Sequence, residues 1–96
     1  MRMNKQQQID RLHTLLKDRH EWTHEREGTR LVATVGDMKL TIDGVQGHRP
    51  LWMVEADGYG VLLPWTPARD TSDAILNATE FARAYVLGLH EEQHAG

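Results

Sequence analysis

The chain contains no cysteine. That removes disulfides, thiolate metal ligands and thiol nucleophiles together, and it suits a reducing compartment. Serine is nearly absent as well: Ser72 is the only one, it lies in Asp70-Thr71-Ser72-Asp73 where a helix cap is expected, and no Gly-x-Ser-x-Gly elbow surrounds it. Glycine-rich phosphate cradles are missing, because Gly44 and Gly47 precede neither a helix nor a lysine. No apolar run approaches membrane-spanning length, and the polar opening Met1-Arg2-Met3-Asn4-Lys5-Gln6-Gln7-Gln8 lacks the apolar segment of a signal peptide. The expectation is a cytoplasmic protein without membrane association.

What is present is enough for a core. With 96 residues, 40% of them hydrophobic, and three tryptophans, the chain predicts one α+β domain over 1–96, with frayed ends at roughly 1–3 and 91–96. Charge is uneven. Residues 1–49 carry nine Lys/Arg against seven Asp/Glu, a net of +2, whereas residues 50–96 carry two against seven, a net of −5. An acidic C-terminal half argues against phosphate-backbone binding there and is compatible with docking to a basic surface.

Apolar positions Ile9, Leu12, Leu15 and Leu16 predict an amphipathic helix from about Asn4 to His20. The following Trp22-Thr23-His24-Glu25-Arg26 fits either its last turn or a short strand before Gly28. Thr29–Val35 and Met38–Asp43 read as a hairpin around Gly36-Asp37, pairing Val35/Met38, Ala33/Leu40 and Leu31/Ile42 on an apolar face. Thr34/Lys39, Val32/Thr41 and Arg30/Asp43 fall on a polar one. A second hairpin, Pro50–Trp65, turns at Asp57-Gly58. Its expected pairs are Ala56/Tyr59, Val54/Val61, Trp52/Leu63 and Pro50/Trp65 on the core face, and Glu55/Gly60, Met53/Leu62 and Leu51/Pro64 on the other. Ile75, Ala78, Ala82, Val86 and Leu89 then mark a second helix reaching about His90, capped within 70–73. The predicted architecture is an N-terminal helix, an antiparallel four- to five-stranded sheet of two hairpins, and a C-terminal helix, with both helices most simply on the apolar sheet face.

The pattern H-E-x-x-H occurs twice, as His20-Glu21-Trp22-Thr23-His24 and His90-Glu91-Glu92-Gln93-His94. On one helix, histidines four apart can bind Zn²⁺ while the glutamate polarises a metal-bound water. The first copy runs into Glu25-Arg26-Glu27-Gly28, charged and helix-ending where such helices usually continue apolar, and the second lies in the last seven residues. No catalytic residue, cofactor or metal is therefore expected; any metal would fall to His20 and His24. A minimal metal-dependent hydrolase using residues 20–24 is the enzymatic alternative. His13 lies seven residues before His20 and reads as its solvent-facing neighbour, and His48-Arg49 in a Gly-flanked loop reads first as a plain polar loop, with an anion contact as the alternative.

The order helix, three strands, helix resembles the double-stranded-RNA-binding domain. That family places lysines at the start of its second helix, whereas Asp70, Ser72 and Asp73 here would repel phosphate. A nucleic-acid partner is therefore not expected; the remaining route for such a contact is the first helix, where Lys5, Arg11, Lys17 and Arg19 are interspersed with Asp10 and Asp18. Residues 51–89 resemble HicB-type antitoxins: the run from Leu51 to Val61 containing Asp57-Gly58-Tyr59, then Pro64, then Asp70-Thr71, Ala74-Ile75, Asn77-Ala78 and Glu80 follow that family's strand, D-G-Y, strand, P and D-T-x-x-E-A-x-x-N-A pattern. Asp73 stands where that pattern has glutamate. The resemblance implies a binding scaffold with a protein partner, and an HicB-like antitoxin or dimeric scaffold is the second alternative.

The second hairpin is apolar on both sides. Leu51, Met53, Leu62 and Pro64 would share the otherwise polar sheet face, and such a patch must be covered by the first helix, by a second copy of the chain or by a target protein. These four residues are the expected partner-binding site. The expected function is a small non-enzymatic protein-binding module, a regulator or inhibitor of a larger assembly, of the kind common among phage or mobile-element accessory proteins, acting on another protein or as a homodimer.

Overall fold

The computed structural model describes residues 3–95, with side chains as far as residue 88. In chain order it contains α1 (Lys5–Lys17), a 3-10 turn (Arg19–Glu21), β1 (Thr23–Glu25), β2 (Arg30–Val35), β3 (Met38–Asp43), β4 (Leu51–Ala56), β5 (Gly60–Pro67) and α2 (Thr71–Ala95). The five strands form one antiparallel sheet in sequence order. The α+β class and the helix–sheet–helix order are as expected, and the open choice of four or five strands resolves to five. The helical backbone of α2 continues beyond His90 to Ala95. The expected frayed ends, 1–3 and 91–96, fall almost wholly on residues whose side chains lie outside the described ones.

Helix α1 starts with a reciprocal cap. The Asn4 side chain accepts the Gln7 N–H at 2.8 Å, and the Gln7 side chain accepts the Asn4 N–H at 2.9 Å, so two of the N–H groups that a helix start leaves unpaired are satisfied. The helix stops at Lys17, earlier than the periodicity predicts, because Asp18 leaves helical geometry and its carboxylate accepts the His20 N–H at 2.9 Å, starting the 3-10 turn. Trp22 then folds back under the helix. It is 2% exposed, and its indole N–H donates to the Leu15 carbonyl at 2.9 Å, one of the carbonyls the helix end would otherwise leave unpaired. With Trp22 anchored there, Thr23–Glu25 leaves as a strand rather than a last helical turn.

The β2–β3 register is the expected one at every pair. Gly36, at φ +59, supplies the left-handed residue that the tight turn needs. Leu31, Ala33, Val35, Met38, Leu40 and Ile42 are all buried, in one cluster with Leu12 and Leu15 of α1 and Ala74, Ile75, Ala78, Ala82 and Val86 of α2. Each fully buried Leu or Ile contributes about 1.5–3 kcal/mol. Both helices therefore cover the same sheet face, with α1 packed against α2 and β2 and α2 against β3 and β4. The fully buried alanines at 74, 78 and 82 let α2 lie close to its neighbours. Asp70 caps α2, accepting the Asp73 N–H at 2.8 Å, while Asp73 accepts the Arg69 N–H at 3.1 Å. The cap thus falls within the expected residues 70–73, while Ser72, another candidate among them, accepts a bond from the Arg19 guanidinium at 3.0 Å.

The β4–β5 register departs from expectation. Ala56 pairs with Gly60 rather than Tyr59, so the loop is Asp57-Gly58-Tyr59, with Gly58 and Gly60 both at positive φ. The longer loop is held by the first hairpin, because the Asp57 N–H donates to the Asp37 carbonyl at 2.9 Å. Two irregularities follow: Glu55 pairs with Val61, Val54 with Leu63, and Trp52 with Thr66. Leu62 is thus an extra residue, and Pro64 and Trp65 together stand opposite Met53. Proline has no N–H to give the ladder, and bulges are where a strand accommodates it. The consequence is a correction of faces. Val61, expected in the core, is 54% exposed; Trp65, expected beside Pro50, is 40% exposed; Leu62, expected outside, packs against the core together with Leu63.

Candidate interaction face

With both helices on one side, the opposite face of the sheet is left open. Its side chains stand in three rows set by the strand register. One row runs Glu25, Arg30, Asp43, Leu51, Pro67; the middle row runs Thr23, Val32, Thr41, Met53; the third runs Thr34, Lys39, Glu55, Val61. Trp65 joins from the β5 bulge. The apolar members therefore gather on β4 and β5, with Val32 extending them inward.

This apolar patch is partly covered by its own neighbours. The Arg30 guanidinium lies 5.6 Å from the Trp65 ring centroid and 3.4 Å from the Asp43 carboxylate. Arg30 comes from β2 and Trp65 from β5, so the cation–π contact spans the face between them. Leu51 and Met53 are half-buried, Val32 and Thr41 buried. Among the described residues, Thr41 Oγ1 finds no hydrogen-bond partner, nor does the indole N–H of Trp52 on the core side. Each such buried group costs on the order of 1–3 kcal/mol. Trp52 offsets part of this by packing against Phe81, with ring centroids 6.2 Å apart.

Of the four residues expected to form a contact surface, Leu51 and Met53 lie on this face. Pro64 is exposed in the bulge, and Leu62 is on the core side. Val61 and Trp65 take the place expected of Leu62 and Pro64. A proline inside a strand-like run was the available sign of a bulge.

The first H-E-x-x-H is divided between two elements. His20 and Glu21 belong to the 3-10 turn and His24 to β1, so the imidazoles do not share a helical face. The His20 ring meets Asp18 at 3.1 Å, and Glu21 is bound to Arg11 at 3.1 Å. The Asp18 carboxyl is held below the usual aspartate value, chiefly by the bond from the His20 backbone N–H and secondarily by the bond from its ring. Among the described residues, no three His, Asp or Glu side chains come together as a metal site. His90, Glu91 and His94 of the second copy lie outside the described side chains.

Two further concavities lie among the described residues. A groove between α1 and α2, lined by residues such as Ile9, Leu16, Thr79 and Arg83, holds about 90 Å³, well short of the 300–1,000 Å³ typical of small-molecule sites. His48 and Arg49 line an open depression with Pro67, Ala68, Arg69 and Asp73. Among the basic residues of α1 and its end, Arg11 is committed to Glu21 and Arg19 to Ser72. Among the described residues no helix is long and apolar enough to cross a membrane. No protein-family model, curated protein or solved structure matches the chain.

Proposed function

We propose that the chain is a non-enzymatic protein-binding module, a regulator or inhibitor of a larger assembly, and that the open sheet face is its contact surface. The observation that carries this reading is the one-sided placement of the helices, which leaves Leu51, Met53, Val61 and Trp65 on a face that none of the described elements covers. Exposed apolar area rimmed by charge is the usual composition of an association surface. Tryptophan and arginine are the side chains over-represented among residues that dominate binding energy, and here Arg30 and Trp65 are already stacked.

Both sheet edges are poor alternatives. β1 is three residues long and carries His24 and Glu25, while β5 contains Pro64 and Pro67 and two irregularities. Short, charged, bulged or proline-bearing edges resist the addition of another strand.

Capture from a lysate of the source cells tests this reading, using the parent chain, Val61→Lys and Leu76→Lys as baits. Val61 and Leu76 are comparably exposed, one on the open face and one on α2. A protein held by the parent and by Leu76→Lys but lost by Val61→Lys is the expected result. Loss by Leu76→Lys with retention by Val61→Lys would move the contact surface to the helices.

A further inference from the structure

We infer that the open face is covered by a second copy of this chain, related by a two-fold axis that runs across the strands along the row Val32, Thr41, Met53. The inference rests on the reading of that face as a contact surface and makes a second copy of the chain, in place of a different protein, its occupant.

The first argument is charge. The rows flanking the axis carry Glu25, Arg30 and Asp43 on one side and Lys39 and Glu55 on the other. A two-fold axis along the middle row exchanges these flanks, so Asp43 lies over the second copy's Lys39, and the reverse. Asp43 is already paired with Arg30 at 3.4 Å, and Lys39 is the cross-strand neighbour of Glu55. The result is an alternating line, Arg30, Asp43, then Lys39 and Glu55 of the second copy, formed twice. Asp43 and Lys39 are four residues apart on β3, about 13 Å at about 3.3 Å per residue, so each sits roughly 7 Å from the axis. The rotation of about 30° usual between packed sheets displaces them by less than one strand spacing of about 4.8 Å, which a lysine side chain spans.

The second argument is the distribution of apolar surface. The same axis lays β5 over β5 of the second copy. Val61 and Trp65, 54% and 40% exposed, then face Pro67 and Trp65 of the other chain, and Met53 faces Met53. A two-fold axis along the strands would do the opposite. It would set Asp43 on Asp43 and Lys39 on Lys39, and would put Trp65 against the polar residues Thr23 and Glu25 of β1. Like charges opposed across an interface select against that arrangement.

Sedimentation equilibrium of the full chain tests the assignment, with Lys39→Asp, Asp43→Lys and the double swap as variants. The parent is expected to dimerise. Each single substitution opposes like charges and should raise the dissociation constant at least about tenfold, whereas the double swap restores the pairing and should return it to within about threefold of the parent. Lys39 and Val61 are exposed, so Lys39→Asp and Val61→Lys report on association even if Asp43→Lys, which loses its Arg30 pair, disturbs the fold. A parent that is monomeric at about 1 mM, where even a weak specific dimer would form, overturns the inference; Val61→Lys capture results then still decide whether a different protein occupies the face. A dimer dissolved by Leu76→Lys and indifferent to Lys39→Asp and Val61→Lys overturns both the inference and the reading of the face.

Discussion

Asp18 shows how one side chain redirects the chain. Its carboxylate accepts the His20 backbone N–H at 2.9 Å and meets the ring at 3.1 Å, and this ends α1 and starts the turn that delivers Trp22 to the core. The folded chain favours the ionised form, so Asp18 titrates below the ordinary aspartate value, mainly because of the backbone bond. A depressed carboxyl contributes stability that is present above its unfolded value, near pH 4, and is lost as pH falls through the folded one. Carboxyl NMR titration should place Asp18 below the ordinary aspartate value. In His20→Ala most of the depression should persist, since the backbone N–H remains; a return to the ordinary value would assign the effect to the ring instead. Two tryptophans show the same local logic. Trp52 is 7% exposed and packs its ring at a tilt against Phe81, whereas Trp65 is 40% exposed. Truncating a buried tryptophan costs about 3–5 kcal/mol, so Trp52→Ala should lose most of the stability of a small domain, while Trp65→Ala should lose about 1 kcal/mol or less. Denaturant unfolding followed by circular dichroism compares them.

At the scale of the element, the two hairpins differ in what sets their register. In β2–β3 the alternation of apolar and polar residues and the Gly36-Asp37 turn agree, so a single register satisfies both. In β4–β5 the residues Val61, Leu62, Leu63, Pro64 and Trp65 are apolar without alternation, so side-chain pattern carries no preference between neighbouring registers. What decides is the contact of Asp57 with Asp37, the positive φ of Gly60 and the missing N–H of Pro64. Leu62 and Met53, expected as opposed neighbours, end on different sides of the sheet. Leu62→Lys should therefore destabilise the fold by about 2–4 kcal/mol, by placing a charge against the core. Met53→Lys should stay within about 1 kcal/mol of the parent and instead lose association. Thermal melts together with sedimentation of both variants separate the effects; equal melting temperatures would mean that the β5 faces are reversed.

Across the whole molecule, local pattern was enough for the order of elements, the antiparallel sheet, the first hairpin's register and the buried stripe of α2 at Ile75, Ala78, Ala82 and Val86, Leu89 lying outside the described side chains. Each of these follows from period, turn chemistry and capping, which act over a few residues. The side of the sheet taken by α1 was not legible, because a single apolar stripe fits either face; it became definite only where Leu12 and Leu15 join Ala78 and Ala82 in one cluster. The break in the H-E-x-x-H motif was half-legible in Glu25-Arg26-Glu27-Gly28 and was completed by Trp22 reaching back to Leu15. The residues of the candidate face divided in the same way, with Leu51 and Met53 readable from alternation in β4 but Val61 and Trp65 dependent on the β5 bulges. The sequence by itself determined which segments become helix or strand and which residues of the first hairpin are core. Tertiary structure decided that α1 joins α2 on the apolar face and that Val61 and Trp65 stand on the opposite one, because those depend on how elements far apart in the chain share one core.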